Sequence, residues 1–128
     1  LHPRVRRQRQ MCIRDSCKEQ GIEVVLLHLP KMSWTYEKSQ AMAEFAKQQG
    51  VAYLDFDTAE IRSQVGLDPA VDYYDQGHMN LTGSVKVTRW LGNYLATQYT
   101  LPDHRGDAAY AQWEEDLQQY MEISGLAE

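Results

Sequence analysis

Asp75 and His78 are the residues of this chain whose types and spacing point most directly to chemistry. A histidine that acts as a general base turns one ring nitrogen toward the nucleophile, while an acceptor at the other ring nitrogen fixes its tautomer. An aspartate three residues earlier can reach back across a turn to supply that acceptor. The spacing therefore predicts a catalytic Asp–His pair.

Two other interpretations of this segment stay open. The pair can belong to an ordinary polar loop, because short motifs often match by chance. Asp72, three residues before Asp75, can also join the pair as a ligand of a divalent ion, since carboxylate oxygens and imidazole suit several such ions. No fourth ligand is evident in the sequence, so we expect neither a bound metal nor another cofactor.

The flanking sequence predicts alternating strands and helices. Residues 22–29 and 51–56 are short apolar runs typical of strands, and the first suits a strand covered on both faces. Residues 34–49 between them have the pattern of an amphipathic helix that stops at Gly50. This order predicts a parallel βαβ unit. Further helices are predicted at residues 58–65, 82–98 and 108–122, and the apolar stripe of the last helix is expected to pack against the body or against a further domain.

The Asp–His pair thus falls in a loop that precedes a long helix. In open α/β sheets such loops gather at the carboxyl ends of the strands, where ligands bind. Asn80 is well placed to cap the long helix. His28 and Trp34 flank the carboxyl end of the first strand, and with Asn80 they are candidate substrate-binding residues. His28 is equally a candidate for a hydrogen-bonded core histidine, and Asp55 and Asp57 are expected to face a loop or cap a helix.

The amino-terminal charge differs from that of the rest of the chain. Residues 1–14 contain five arginines and no acidic residue, whereas the remainder has a balance of −10 within a net charge of −5. A basic arm can bind nucleic acid or an anionic membrane surface. However, residues 11–16, MCIRDS, match a translation of ATG TGT ATA AGA GAC AGN, which resembles a transposon-end sequencing adapter. We therefore expect residues 1–16 to be a non-native or disordered leader, followed by a helix that ends at Gly21, and we expect no nucleic-acid partner.

The segment YYDQGHMNLTGSVKVTRWLGNYL, residues 73–95, resembles the last conserved block of the SGNH (GDSL-type) hydrolases. In that block a D-x-x-H pair precedes the final core helix, and Asp75 and His78 fall on the aspartate and histidine of the catalytic triad. The resemblance covers residues 17 to about 100. It implies the C-terminal portion of a three-layer α/β/α, flavodoxin-like fold over residues 17–101, with a helical extension over residues 102–128.

The same resemblance implies an activity. Members of this family include bacterial esterases, lipases and acyl-transfer or deacetylation proteins of the cell envelope. It therefore implies a small-molecule or carbohydrate ester as substrate, an extracellular or envelope location, and no cofactor. No run approaches eighteen apolar residues, so we expect no membrane segment in this chain. The oligomeric state is left open.

This sequence also departs from the family pattern. The family takes its serine from a Gly-Asp-Ser block and its oxyanion-hole groups from a glycine and an asparagine in intermediate blocks, and none of these blocks is present. Asp15 and Ser16 imitate the first block without its preceding strand and glycine, so Ser16 is assigned no catalytic role. Because these groups act as a unit, we expect an inactive fragment of a hydrolase. The alternative is a non-catalytic α/β binding or structural domain.

Overall fold

A computed structural model of the chain describes residues 12–126, and this part is a mixed α/β structure. It contains five helices and a parallel sheet of two short strands. In chain order the elements are α1 (residues 12–19), β1 (Val25–His28), α2 (Tyr36–Gln49), β2 (Ala52–Asp55), α3 (Ala59–Val65), α4 (Leu81–Gln98), a 3-10 turn (Ala108–Tyr110) and α5 (Ala111–Ser124).

The chain divides into two compact units. Within the described residues, the first unit consists of residues 12–63 together with Asp75–His78, and the second consists of Gln64–Tyr74 together with residues 79–126. The segment that carries the Asp–His pair therefore belongs to the same unit as the two strands.

The predicted βαβ unit is confirmed in the first unit. Strands β1 and β2 are parallel, in a register that pairs Val25 with Ala52 and His28 with Asp55. Helix α2 connects the strands and packs on β2. The buried apolar side chains of this unit are Ala46, Leu54 and Phe56, because the helix covers the second strand more fully than the first.

The expectation that β1 is covered on both faces is wrong. Leu27 and Leu29 are exposed, whereas Leu54, the partner of Leu27 in the sheet, is buried. The apolar run from residue 22 to 29 suggested a strand between two layers. Among the described residues, however, no helix packs on β1 as extensively as α2 packs on β2, and so part of β1 stays in contact with solvent.

Two helices of the first unit end at glycines, as their sequences predict. Gly21 follows α1 with a φ of 68°, and Gly50 follows α2 with a φ of 63°, a left-handed conformation that glycine adopts without steric cost. The N–H of Gly50 donates to the carbonyl oxygens of Ala46 and Lys47. Helix α1 includes residues 12–16 of the segment expected to be a non-native leader, and residues 1–11 of that segment lie outside the described residues.

Helix α4 is the longest helix of the second unit. It begins after Asn80, whose side-chain oxygen accepts a hydrogen bond from the N–H of Gly83, so the predicted N-cap is confirmed. Gly83 and Val87 are its buried residues. A methyl group at Gly83 would overlap the carbonyl oxygen of Asp72, so α4 approaches the preceding loop at a position that only glycine permits.

Helix α5 presents its apolar stripe to solvent. Trp113, Leu117 and Tyr120 are all exposed, so packing of these side chains against the body is not seen within the described residues, and packing against a further domain stays a prediction. None of the helices in residues 12–126 combines the length and the apolar character needed to cross a membrane.

Candidate active site

Asp75 and His78 form the pair that their spacing predicts. The ring nitrogen Nδ1 of His78 lies 2.9 Å from both Asp75 Oδ1 and Asp75 Oδ2. Since a carboxylate only accepts hydrogen bonds, Nδ1 carries the proton and Nε2 is the nitrogen that faces away from the aspartate. This is the orientation that a general-base histidine requires.

The backbone of the loop holds the Asp75 carboxylate in place. The N–H of Gly77 donates to Asp75 Oδ1 at 2.6 Å, which closes a tight turn inside the motif. The hydrogen bond from His78, assisted by that from Gly77, lowers the pKa of Asp75 below its usual value. The carboxylate is therefore ionised at neutral pH and can stabilise an imidazolium ion at His78.

Both members of the pair are in contact with solvent. The side chain of His78 is 78% exposed and that of Asp75 is 58% exposed. The ring of His78 is therefore accessible from solvent. The same exposure weakens the electrostatic coupling between the two side chains, because water screens them.

The loop that carries the pair lies beside the carboxyl end of β1. A Cβ atom at Gly77 would stand 3.7 Å from the Cε atom of Lys31, in the segment that follows β1. The Asp–His pair is therefore near the edge of the sheet at which ligands bind in α/β proteins.

The candidate substrate-binding residues His28 and Trp34 are in contact at this edge, and their binding role stays a prediction. Their rings stack with centroids 3.9 Å apart, and the Trp34 Nε1–H donates to Ser39 Oγ at 2.9 Å. The His28 Nε2 atom lies 3.0 Å from Asp57 Oδ2. His28 is thus held by an acid and an aromatic ring, which is the hydrogen-bonded histidine that the sequence left as an alternative to a substrate ligand.

Asp55 and Asp57 are tied into the end of β2. Asp55 is buried, and its carboxylate accepts from the N–H of Asp57 at 2.9 Å and from the Tyr53 hydroxyl at 3.1 Å. Burial and the neighbouring Asp55 carboxylate raise the pKa of Tyr53, so the phenol stays protonated and donates. Asp57 accepts from the backbone N–H of Lys31 at 2.9 Å. Both acids therefore lie at the sheet edge with His28.

Asp72 has a structural role in the second unit. Its side chain is 0% exposed, and the ammonium group of Lys86 on α4 lies 2.7 Å from Asp72 Oδ2. Burial alone would raise the pKa of Asp72, but hydrogen bonds from Asp68 N–H, Lys86 and Thr82 outweigh burial and lower it. A metal bound at Asp72, as in the alternative with Asp75 and His78, would have to displace this ammonium group.

Asn80 uses both ends of its side-chain amide within its own unit. Its oxygen accepts from Gly83 N–H at 3.1 Å, and its nitrogen donates to the carbonyl oxygen of Val71 at 2.6 Å. These bonds hold the segment that contains Val71 against the first turn of α4. A substrate-binding role for Asn80 stays a prediction, and it would require one of these bonds to open.

Within the described residues, no hydroxyl group donates a hydrogen bond to His78 Nε2. Ser16 lies in α1, where its Oγ accepts from the side chain of Gln20 at 3.1 Å. This bond is local to α1, and the absence of a catalytic role for Ser16 stays a prediction.

The pairing of His28 with Asp57 is the feature of this edge that the sequence did not predict. Each residue was visible as a polar group at a strand end. The signal that joins them is the parallel arrangement itself, because the carboxyl ends of neighbouring parallel strands lie at the same edge of a sheet.

Comparison of the chain with protein-family models, with curated proteins and with solved structures found no match.

Proposed function

We propose that this chain supplies the aspartate and histidine of a serine-type ester hydrolase of the SGNH kind. The observation that carries the proposal is the orientation of His78, whose Nδ1 is held by the Asp75 carboxylate at 2.9 Å. That arrangement leaves Nε2 as the basic nitrogen and keeps a negative charge behind the ring.

In this proposal His78 Nε2 takes the proton of a serine hydroxyl as the serine oxygen attacks the carbonyl carbon of an ester. The imidazolium ion, stabilised by Asp75, then gives its proton to the leaving alcohol, and an acyl-enzyme remains. Water, deprotonated by the same nitrogen, then attacks the acyl carbon; the ester bond to serine breaks, the acyl group leaves as an acid, and the imidazolium ion returns its proton to the serine oxygen. In this proposal the serine and the oxyanion donors come from sequence outside this chain, and we therefore expect the chain alone to be inactive.

The two parallel strands with their crossover helix support the finer fold assignment. In a three-layer α/β/α domain, β1 and β2 are the last strands of a larger parallel sheet. The exposure of Leu27 and Leu29 fits this arrangement, because further elements of such a domain would cover them. The pair at the carboxyl edge then lies where the ligands of such sheets bind.

The substrate in this proposal is a small-molecule or carbohydrate ester, including an acetyl ester of cell-envelope carbohydrate. The Trp34 ring, in the segment after β1, stacks on His28 and is the aromatic group near the end of this strand that we propose for substrate contact. Aromatic surfaces of this kind suit the apolar faces of sugar rings and short acyl chains. An extracellular or envelope location follows from the same proposal.

The natural coding sequence that precedes the codon for residue 17, in place of the one for residues 1–16 expected to be non-native, tests the proposal. We expect it to encode a strand followed by a Gly-Asp-Ser block, and we expect the protein that includes this block to hydrolyse p-nitrophenyl acetate. The 128-residue chain should show no turnover above its Ser16→Ala variant. Robust turnover by the chain that is abolished in Ser16→Ala, or an upstream sequence without a serine block, would refute the proposal.

A non-catalytic α/β binding domain is the second candidate, and the exposure of Asp75 favours it. The aspartate of a serine-hydrolase triad is usually buried, whereas Asp75 is 58% exposed. The same upstream sequence separates the two candidates, because a binding domain has no need of the Gly-Asp-Ser block.

A further inference from the structure

His28, Asp55 and Asp57 form a second cluster of chemically competent side chains, separate from the Asp75–His78 pair. Each offers one atom able to bind a metal, and these three atoms all lie within 4.8 Å of one another. Within residues 12–126, it is the group of at least three histidine, cysteine or acidic side chains whose ligand atoms lie this close to one another.

The register of the sheet and one backbone hydrogen bond bring the three residues of the cluster together. The sheet register pairs His28 directly with Asp55, so their side chains lie on one face at the ends of the two strands. The N–H of Phe56 donates to the carbonyl oxygen of His28 at 3.1 Å, which holds the chain after β2 against β1 and positions Asp57.

Within residues 12–126, His28 is the basic side chain that contacts this cluster's carboxylates, at Asp57. Asp55 is buried, the side chain of Asp57 is 10% exposed, and neither carboxylate pairs with a lysine or arginine. In addition, Asp57 Oδ1 is buried and accepts no hydrogen bond, although Asp57 Oδ2 accepts from Lys31 N–H and contacts His28. Buried carboxylate oxygens are normally hydrogen-bonded or bound to a cation, so Asp57 Oδ1 is an oxygen that a cation could bind.

We propose that His28, Asp55 and Asp57 bind one divalent transition-metal ion of the Zn²⁺ type. One imidazole and two carboxylates are ligands that Zn²⁺ takes in proteins, and two negative charges match the charge of the ion. The mixed nitrogen and oxygen set favours Zn²⁺ over Mg²⁺, which prefers oxygen ligands alone.

The distances in the cluster fit such an ion. Zinc-to-ligand bonds of about 2.0–2.2 Å in a tetrahedron separate neighbouring ligand atoms by roughly 3.4 Å. The His28 Nε2 and Asp57 Oδ2 atoms are 3.0 Å apart, so a small outward movement replaces their hydrogen bond with two metal bonds. In this proposal Asp57 Oδ1 offers a second point of attachment, and the Asp55 carboxylate, whose ligand atom lies within 4.8 Å of the other two, rotates toward the ion to complete the site.

Groups around the cluster are arranged as supports for metal ligands. The Tyr53 hydroxyl donates to Asp55, the Lys31 N–H donates to Asp57, and the Trp34 ring stacks on His28. Outer hydrogen bonds of this kind orient metal ligands and strengthen binding. An ordinary His–Asp ion pair accounts for the contact between His28 and Asp57 Oδ2, but it leaves Asp57 Oδ1 without a partner.

The first test uses the unaltered 128-residue chain and Co²⁺ as a spectroscopic substitute for Zn²⁺. The chain has four histidines, so each imidazole can be followed by NMR. We expect one equivalent of Co²⁺ to shift the ring signals of His28 most strongly, and one equivalent of Zn²⁺ to reverse the effect. Shifts centred on His78 or His104, or none at all, would overturn the proposal.

The second test compares variants by calorimetric titration with Zn²⁺. We expect one site per chain, and we expect Asp57→Asn and His28→Gln to weaken binding by more than about 100-fold, since even an outer-shell change costs 10–100-fold. His104→Gln is the matched control, because His104 also lies near an acid, 3.8 Å from Asp107, but has no third ligand. Binding that survives both ligand changes, or that is lost in His104→Gln, would show an adventitious surface site and end the proposal.

Circular dichroism of each variant shows whether it folds, which the calorimetric comparison requires. If a variant does not fold, the NMR result on the unaltered chain decides. The metal site does not rest on the proposed hydrolase function: His28 is a candidate residue in both, but the hydrolase is tested through His78 and the metal site through His28 and Asp57.

Discussion

Replacing Lys86 by methionine is expected to destabilise the second unit strongly. Lys86 Nζ lies 2.7 Å from Asp72 Oδ2 and also donates to the Gly66 carbonyl oxygen at 3.0 Å. Methionine keeps the aliphatic stem of the side chain, so the change removes the ammonium group and its two bonds and little else.

The size of the effect follows from the surroundings of the two charges. Breaking a buried ion pair from one side costs about 3–5 kcal/mol. The Lys86 side chain is 38% exposed, which reduces the loss, and Asp72 keeps hydrogen bonds from Asp68 N–H and Thr82. The bond to Gly66 adds about 1 kcal/mol. We therefore expect the free energy of unfolding to fall by about 3 kcal/mol.

Urea denaturation followed by circular dichroism measures this change. Arg89→Met is the matched control, because Arg89 lies on the same helix, is exposed, and forms no hydrogen bond or ion pair within the described residues. We expect the control to unfold within about 0.5 kcal/mol of the unaltered chain. If Lys86→Met unfolds no more easily than Arg89→Met, the ion pair between Lys86 and Asp72 does not stabilise the second unit and the reasoning is refuted.

Further predictions concern the same loop and its pH dependence. Gly83→Ala should cost about 1–3 kcal/mol in urea, because the new methyl group overlaps the Asp72 carbonyl oxygen, and a change below that of Gly92→Ala, which has open space, would contradict this. Asn80→Ala should cost about 1–2 kcal/mol through loss of the α4 cap and of the bond to the Val71 carbonyl oxygen, whereas Thr35→Ala, at a cap without a side-chain bond, should cost less. Because the folded pKa of Asp72 is lowered, its contribution is complete above about pH 4 and is lost as the pH falls through the folded pKa. The difference in unfolding free energy between the unaltered chain and Lys86→Met should therefore shrink below about pH 4, and a constant difference would argue against this ion pair.

Local signals in the sequence predicted most of the element order. The glycines at 21 and 50 end helices because each adopts a positive φ, and Asn80 caps α4 because its short side chain reaches a free N–H. Periodicity located α2, α3 and α4 within one or two residues at each end. The start of α5 differs, because Asp107 caps a 3-10 turn and the α-helix begins only at Ala111.

The side-chain environments were harder to predict, because they depend on contacts between distant segments. Asp72 lies three residues before Asp75, as Asp75 lies three residues before His78. Asp72 is nevertheless buried, and it forms an ion pair with Lys86, fourteen residues later. The apolar run of β1 suggested burial on both faces, but burial depends on which elements pack there. His28 and Asp57 are 29 residues apart, and only the parallel register brings them together.

The Asp–His pair combines a local feature that the sequence predicts with a non-local feature that it does not. The distance from His78 to Asp75 follows from local spacing, and the structure confirms the contact. The nucleophile that the pair would activate is a non-local property. No local pattern can therefore decide whether the pair is catalytic.

Active-site labelling of the longer protein, once its upstream sequence is recovered, tests the central claim most directly. A fluorophosphonate probe reacts with a serine only when a general base activates that serine. We predict that the probe labels the serine of a Gly-Asp-Ser block, that His78→Gln abolishes labelling, and that His104→Gln leaves it unchanged. Absence of labelling, or labelling that persists in His78→Gln, would contradict the assignment of Asp75 and His78 to a serine-hydrolase triad.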